Sequence, residues 1–234
     1  MIDIHCHLLP NVDDGSSSWE ESLKMVGIAA KDGIEFAYAT PHWIQGTRWS
    51  PNPQAVKSGV DELNSRIEEE GIDFKVLPGM EIGIAENLAE LIDSSKVLPL
   101  GDTNCVLIEI PFMPLPLGFG RIIDEIKAVG VTPVLAHPER NMYFQQEPGR
   151  IAEYVDDDTY VQVTASSLWG VFGEPAKQCA MDFARMGYIH ALASDAHSAE
   201  DRPPVISKGF KVLEGVIGFE KARKISQYTA QLFG

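Results

Sequence analysis

A helix that stops at a glycine and gives way within a few residues to an apolar run is the feature that most limits how this chain can fold, because it recurs. Ser18-Trp19-Glu20-Glu21 has the form of a capping box, with Ser18 as N-cap and Glu21 reaching back to it. Leu23, Val26 and Ala30 then follow at helical spacing to about Asp32, Gly33 stands where a left-handed residue closes a helix, and residues 34–40 read as a strand. The order returns with Glu68-Glu69-Glu70-Gly71 before residues 74–77, with Lys127-Ala128-Val129-Gly130 before residues 132–136, and with Ala184-Arg185-Met186-Gly187 before residues 188–193. Two more apolar runs, 105–110 and 160–164, lack so clean a stop. With the alternating Ile2, Ile4 and Cys6 at the start, the candidate strands number seven.

Seven strand–helix units in 234 residues suit either a closed parallel barrel one unit short of the eight-stranded standard or an open doubly wound sheet. The polar residues favour the barrel. His5 and His7 end the first strand, His42 the second, Glu81 the third, Glu109 the fourth, His137 the fifth, and Asp195 and His197 the seventh. In a barrel all C-terminal strand ends share one mouth, so these groups would converge, whereas an open sheet would spread them out. His190, at the start of the last strand, would lie at the opposite rim. Any one of these residues alone reads as a packed core group or a solvated loop acid; the repetition at one topological position points to a metal centre. His5 and His7 share a face of a period-two strand, and Asp13-Asp14-Gly15 is a turn that returns a carboxylate over its end.

Length suits one domain over residues 1–234, and 44% hydrophobic with 23% charged residues is the balance of a globular protein. The net charge, 19 − 34 = −15, works against a broad basic surface for nucleic acid. Cys6, Cys105 and Cys179 are far apart in apolar surroundings and imply buried thiols in a reducing compartment. Without a leader-like N-terminus or a run of eighteen apolar residues, the expectation is a cytoplasmic protein that does not insert into a membrane.

The motifs Asp3-Ile4-His5-Cys6-His7, Val12-Asp13-Asp14-Gly15, Thr40-Pro41-His42, Gly79-Met80-Glu81-Ile82, Ile108-Glu109, Ala136-His137-Pro138-Glu139-Arg140 and Ala193-Ser194-Asp195-Ala196-His197, with Arg202-Pro203-Pro204 after them, come in an order that resembles the polymerase and histidinol phosphatase (PHP) superfamily. Within it the chain is similar, over nearly its full length, to the bacterial tyrosine phosphatases of the CpsB/CapC type. That resemblance implies a distorted (β/α)7 barrel of the PHP type, its metal site at the C-terminal strand ends. It implies up to three divalent ions on His5, His7, Asp14, His42, Glu81, Glu109, His137, Asp195 and His197, with Glu81 bridging two ions and Asp14 rather than Asp13 the match. It turns Arg140 and Arg202 toward the phosphate. The implied substrate is a phosphotyrosine protein, such as the tail of a bacterial tyrosine kinase governing capsule or exopolysaccharide synthesis. The rivals are a small-molecule phosphatase of the histidinol-phosphate kind and a catalytically silent binding module.

Mixed imidazole and carboxylate donors suit manganese, iron or zinc better than calcium; manganese is the first expectation, with magnesium also open. Cys179 and Arg185 match the bare Cys-x5-Arg pattern of cysteine-dependent tyrosine phosphatases, but they fall inside the helix expected over residues 174–186, where amides are already paired and apolar neighbours raise a thiol's pKa. Aromatics crown the expected mouth: Trp43 and Trp49, the stretch from Phe112 to Phe119, and Trp169 with Phe172. Each anchors a loop or offers a face to a phenol ring.

Overall fold

The computed structural model describes residues 1–112 and 115–234; of the Phe112 to Phe119 stretch, Met113 and Pro114 lie outside the described residues. Strands and helices alternate along the chain. β1 (Ile2–Cys6), α1 (Trp19–Asp32), β2 (Phe36–Ala39), β3 (His42–Trp43), α2 (Pro53–Glu69), β4 (Lys75–Pro78), β5 (Glu81–Gly83) and α3 (Leu88–Asp93) form the first half. β6 (Cys105–Glu109), α4 (Phe119–Ala128), β7 (Thr132–Ala136), α5 (Met142–Gln146), β8 (Tyr160–Thr164), α6 (Glu174–Met186), β9 (Ala191–Ala193), α7 (Ser207–Ile217) and α8 (Phe219–Phe233) complete it. Every strand pairing is parallel, in two sheets ordered β1-β2-β4 and β3-β5-β6-β7-β8-β9.

The second and third strands expected from sequence are each interrupted, so seven apolar runs become nine strand segments among the described residues. The interruptions sit side by side. Pro41 has no N–H for a ladder, while Thr40 stays tied to β1 through its own N–H to the Cys6 carbonyl, 2.9 Å, and its Oγ1, which accepts from Cys6 N at 3.0 Å. Gly79 lets the neighbouring strand pass close: a Cβ there would lie 3.0 Å from Leu100 Cδ2 and 3.2 Å from Thr40 Cγ2. Both strands therefore step together from the first sheet into the second, and His42 pairs with Glu81 just beyond the step.

On its other side β1 meets the segment after β9. Asp195 N donates to the His5 carbonyl and His7 N to the Ala196 carbonyl, both at 2.8 Å. Period two then separates floor from site along each strand. On β6, Cys105 and Leu107 precede Glu109; on β8, Tyr160 precedes Gln162 and Thr164. The apolar members of this series join Ile2, Ile4, Val134, Ala191 and Phe233 in one buried cluster, and a larger cluster packs the opposite strand faces against the helices. Ile4 and His5 serve the same interior because the β1–β2 register shifts between Asp3 and Cys6.

Helix ends follow the sequence closely, with one correction. Ser18 Oγ accepts from Glu21 N at 3.2 Å, and Gly33, Gly71, Gly130 and Gly187 all take positive φ, but Glu21 does not reach back to Ser18. Its Oε1 accepts from Ala199 N at 2.7 Å, so the acid that completes the capping-box pattern ties α1 to the loop after β9. Asp32 at the other end of α1 does the same for α7, accepting from Ile206 N at 2.7 Å, Ser207 N at 2.8 Å and Ser207 Oγ at 2.5 Å. Phe233 closes the floor, its carbonyl taking the Tyr38 hydroxyl at 2.7 Å. Among the described residues no helix is long and apolar enough to cross a membrane. Replacing Asp32 with Ala removes the cap that α7 lacks on its own, and urea unfolding should register a loss of about 1–2 kcal/mol. Asn at this position, a neutral cap, should recover more than half.

Candidate metal centre

All nine donors expected from sequence meet at the C-terminal strand ends. Glu81, at the start of β5, lies at their middle: its Oε2 is 3.2 Å from His5 Nε2, 3.4 Å from His7 Nε2 and 2.9 Å from His42 Nδ1, while its Oε1 is 2.8 Å from His137 Nε2. Three sets of donor atoms are close enough to hold an ion each: His7, Asp14, His42 and His197; His5, His7 and Glu81; and His42, Glu81 and Glu109. The sets interlock through His7, His42 and Glu81. Asp195 falls outside them, with Oδ1 3.5 Å from His5 Nε2 and 3.6 Å from His7 Nε2, and His137 joins through Glu81 alone. Asp14 is the half-exposed member, its Oδ1 3.5 Å from the Nε2 atoms of both His42 and His197. His190 is at the other end of the strands as expected, its Nδ1 accepting from Val161 N at 3.0 Å.

Two of these residues sit in backbone conformations that ordinary side chains avoid. His137 has φ 35° and Asp195 φ 50°, each just past the end of its strand, so each turns sharply to aim its side chain inward. The donors also fit a cation in their bonding. His42 Nδ1 and Glu81 Oε2 are buried, 2.9 Å apart, and neither has a hydrogen-bond partner among the described residues. Buried polar atoms left without a hydrogen bond are accounted for when a cation takes their lone pairs.

Electrostatics sorts the four carboxylates. Burial opposes the charge on Glu81, but His5, His42 and the bond from His137 outweigh it and hold its carboxyl well below the usual range. Burial together with the nearby Glu81 charge pushes Glu109 up to about 7. Asp195 is again driven down against burial, by His5 and Arg140, and Asp14 by its contact with His197. Burial and then Arg140 lower His137 to about 4, which leaves that imidazole neutral and able to donate a lone pair.

Three residues not expected among the donors, Asp3 and Asp13 from the motifs and Gln162 outside them, set the donors' orientation. Asp13 Oδ2 accepts from His7 Nδ1 at 2.6 Å and from the His42 backbone N–H at 2.9 Å, so one carboxylate fixes a ring and a neighbouring strand end together. Burial notwithstanding, the His7 contact lowers it to about 2. Gln162 Oε1 faces His5 Nδ1 at 3.0 Å, and with Nδ1 so engaged on both rings the Nε2 atoms converge to 3.2 Å. Asp3 clamps the Ser194 amide at 3.0 Å and its hydroxyl at 2.5 Å, joining β1 to the turn that carries Asp195. A lone Gln between two valines was a visible sign of an inward polar group; nothing local separated Asp13 from Asp14.

A model of the family described as capsular polysaccharide synthesis, CpsB/CapC, matches residues 1–232. The chain belongs to the CpsB/CapC family. It is 36% identical over 220 residues to the tyrosine-protein phosphatase YwqE of Bacillus subtilis (strain 168), covering 94% of this chain and 86% of that protein. It is 31% identical over 210 residues to the putative tyrosine-protein phosphatase CapC of Staphylococcus aureus, covering 90% and 82%. A solved chain from the pair YwqE of Bacillus subtilis and CpsB of Streptococcus pneumoniae, described as metal-dependent tyrosine phosphatases, superposes with a TM-score of 0.94 at 35% identity, covering 100% of this chain and 94% of that one.

This CpsB/CapC chain opens its donor cluster onto a cavity of about 190 Å³ bounded by Arg140, Arg202, Phe112 and Trp49. Both guanidinium groups end on Asp195: Arg140 Nη1 donates to Oδ2, and Arg202 Nη2 forms an ion pair with Oδ2 at 2.7 Å and donates to the Asp195 carbonyl at 2.9 Å. The expected turn toward a phosphate is thus qualified by a shared anchor. Phe172 packs across both, its ring 4.3 Å from Arg140 Cζ and 5.4 Å from Arg202 Cζ. Trp49 stacks on His42 at 5.3 Å, whereas Trp43, expected in a rim loop, is buried in β3. Cys179 is buried in α6, its Sγ 3.4 Å from the Phe144 carbonyl, and burial pushes its thiol up; Arg185 pairs with Asp182. Asn at position 13 keeps the shape but removes the charge behind His7, so Mn²⁺ affinity measured by calorimetry should fall roughly 10- to 100-fold. Unchanged affinity in Asp13→Asn would mean the carboxylate does not tune that imidazole.

Proposed function

We propose that this chain is a metal-dependent phosphomonoesterase that hydrolyses phosphotyrosine in a protein. The observation that carries the reading is the meeting of interlocked imidazole and carboxylate sets with two arginines at one small cavity, in a chain whose relatives carry the name tyrosine-protein phosphatase. The single anionic clamp of Arg140 and Arg202 on Asp195 suits a group that brings its own negative oxygens.

His5, His7, Asp14, His42, Glu81, Glu109, His137, Asp195 and His197 are the proposed ligands of up to three divalent ions, manganese first. When bound, such ions supply Lewis acidity and lower the pKa of a water enough for it to attack phosphorus near neutral pH. The protein supplies position. Arg202 Nε is buried and without a partner among the described residues, so an anion in the cavity would answer it. The Arg140 and Arg202 N–H groups that Asp195 does not take can engage phosphoryl oxygens and stabilise charge that builds as the ester bond breaks. Asp195 holds both forks ready before substrate arrives. A tyrosyl leaving group, with a pKa of about 10, departs without a strong proton donor, and none is assigned. Trp49 and Phe112 at the rim offer faces for its ring.

The reading extends to architecture and setting. We take each interrupted pair of segments as one strand and the bonds from β1 to residues 195–196 as the closure, so that the proposed architecture is a distorted (β/α)7 barrel in a single unit over residues 1–234; the parallel pairings support it. The partner we propose is a bacterial tyrosine kinase tail in capsule or exopolysaccharide synthesis, met in the cytoplasm.

Phosphate release from a phosphotyrosyl peptide should exceed that from histidinol phosphate, stop with a chelator and return with Mn²⁺. Faster turnover of histidinol phosphate would overturn the substrate assignment. Cys179→Ser should leave the rate near wild type, and loss of activity on alkylating that thiol in a folded protein would indicate a different mechanism. Arg140→Ala and Arg202→Ala should keep their metals and lose roughly 10- to 1000-fold in kcat/KM, with Arg202→Lys in between because an ammonium lacks the planar fork. Wild-type rates in both Ala variants would assign phosphate recognition to the metals alone.

A further inference from the structure

Beside the phosphate cavity lies a second one of about 270 Å³, lined by the turn after β8 and by the loop that leads into α7. The two share Arg202, whose side chain is a wall of both. Trp169, Val171, Pro203 and Val205 form an apolar wall of the second cavity; the rest of its lining is polar, with Lys208 and Asp201 at the exposed edge. Lys208 lines it as well, its Nζ held 4.5 Å over the Trp169 ring. Val171 is 51% exposed, an unusual position for a branched aliphatic side chain beside a polar site.

Val171 and Phe172 form a two-residue partition. Gly170 and Gly173, both at φ 88°, turn the chain sharply on either side of them. Phe172 covers Arg140 and Arg202 while Val171, the next side chain, lines the second cavity. The phosphate cavity has room for a phosphorylated ring and little more, so the backbone that bears the ring must run across the rim. One side of that rim, reached across Arg202, is this apolar hollow.

Building on the phosphotyrosine reading, we infer that the hollow formed by Trp169, Val171, Pro203 and Val205 is a subsite for an apolar side chain flanking the phosphotyrosine of the substrate. Its continuity with the phosphate cavity through Arg202 sets the occupant, since a side chain next to the scissile residue is delivered there whenever the phosphate binds. The apolar wall of Trp169, Val171, Pro203 and Val205 sets its chemistry. Such a contact lowers the barrier for extended substrates and does nothing for a free aryl phosphate, which has no flank.

The test uses the metal-loaded full chain and one parent phosphotyrosyl peptide with Ala at the two positions on each side, replaced singly by Leu, Glu or Lys. At one of these positions Leu should raise kcat/KM roughly tenfold over Ala, the scale of an aliphatic side chain entering a pocket. Val171→Asp should erase that ratio, and Val171→Ser, a smaller change at the same exposed site, should reduce it. A ratio within twofold at all four positions, a preference for Glu or Lys, or an undiminished Leu preference in Val171→Asp would overturn the subsite while leaving phosphotyrosine hydrolysis standing. Failure to release phosphate from any peptide while histidinol phosphate turns over would overturn the activity and the subsite together.

Discussion

One carboxylate, Glu81, touches four imidazoles and is itself shut off from solvent, and that contact fixes much of what surrounds it. A buried charge without partners would cost several kcal/mol, so the strand that carries Glu81 cannot be placed without His5, His7, His42 and His137 arriving from three other strand ends. The apolar floor of Ile4, Leu107, Val134 and Ala193 beneath keeps water out and strengthens every one of these interactions. Asp13 on His7 and Gln162 on His5 fix the rings from behind, so the site and the sheet specify each other.

Much of this arrangement is legible in the chain itself. Period two places His5 with His7 and Glu109 above Leu107, and glycine at the helix ends marks where each strand begins. What periodicity cannot register is a local step: the break at Thr40-Pro41 is announced by proline, but its partner at Gly79-Met80 exists because Leu100 and Thr40 crowd the chain there, a contact between residues far apart in sequence. Glu21 shows the same limit from another side. Its spacing from Ser18 is right for a capping box, yet the Ala199 amide, 178 residues away, takes the carboxylate instead.

The arginines make the point at the level of chemistry. Motif order identifies Arg140 and Arg202 as residues of the site, but the discovery that both anchor on one oxygen of Asp195 needs the fold. Asp195 can do this because its backbone at φ 50° presents one carboxylate oxygen to the imidazoles and the other to the guanidinium groups. Strain at that residue thus goes with a division of labour: a single turn serves the imidazole side and the guanidinium side of the same cavity.

The bonds between β1 and residues 195–196 also bear on how the protein comes into being. His5 emerges from a ribosome long before His197, and the interval between them is nearly the whole chain. Two of the three donor sets lie within residues 1–109, whereas the third waits for His197 and so for the closing of the longest loop the topology offers. That third set is the last to assemble, after the last strand has found the first. A product ending before β9 would keep His5, His7 and Glu81 but lack Asp195, and with it the carboxylate on which Arg140 is anchored.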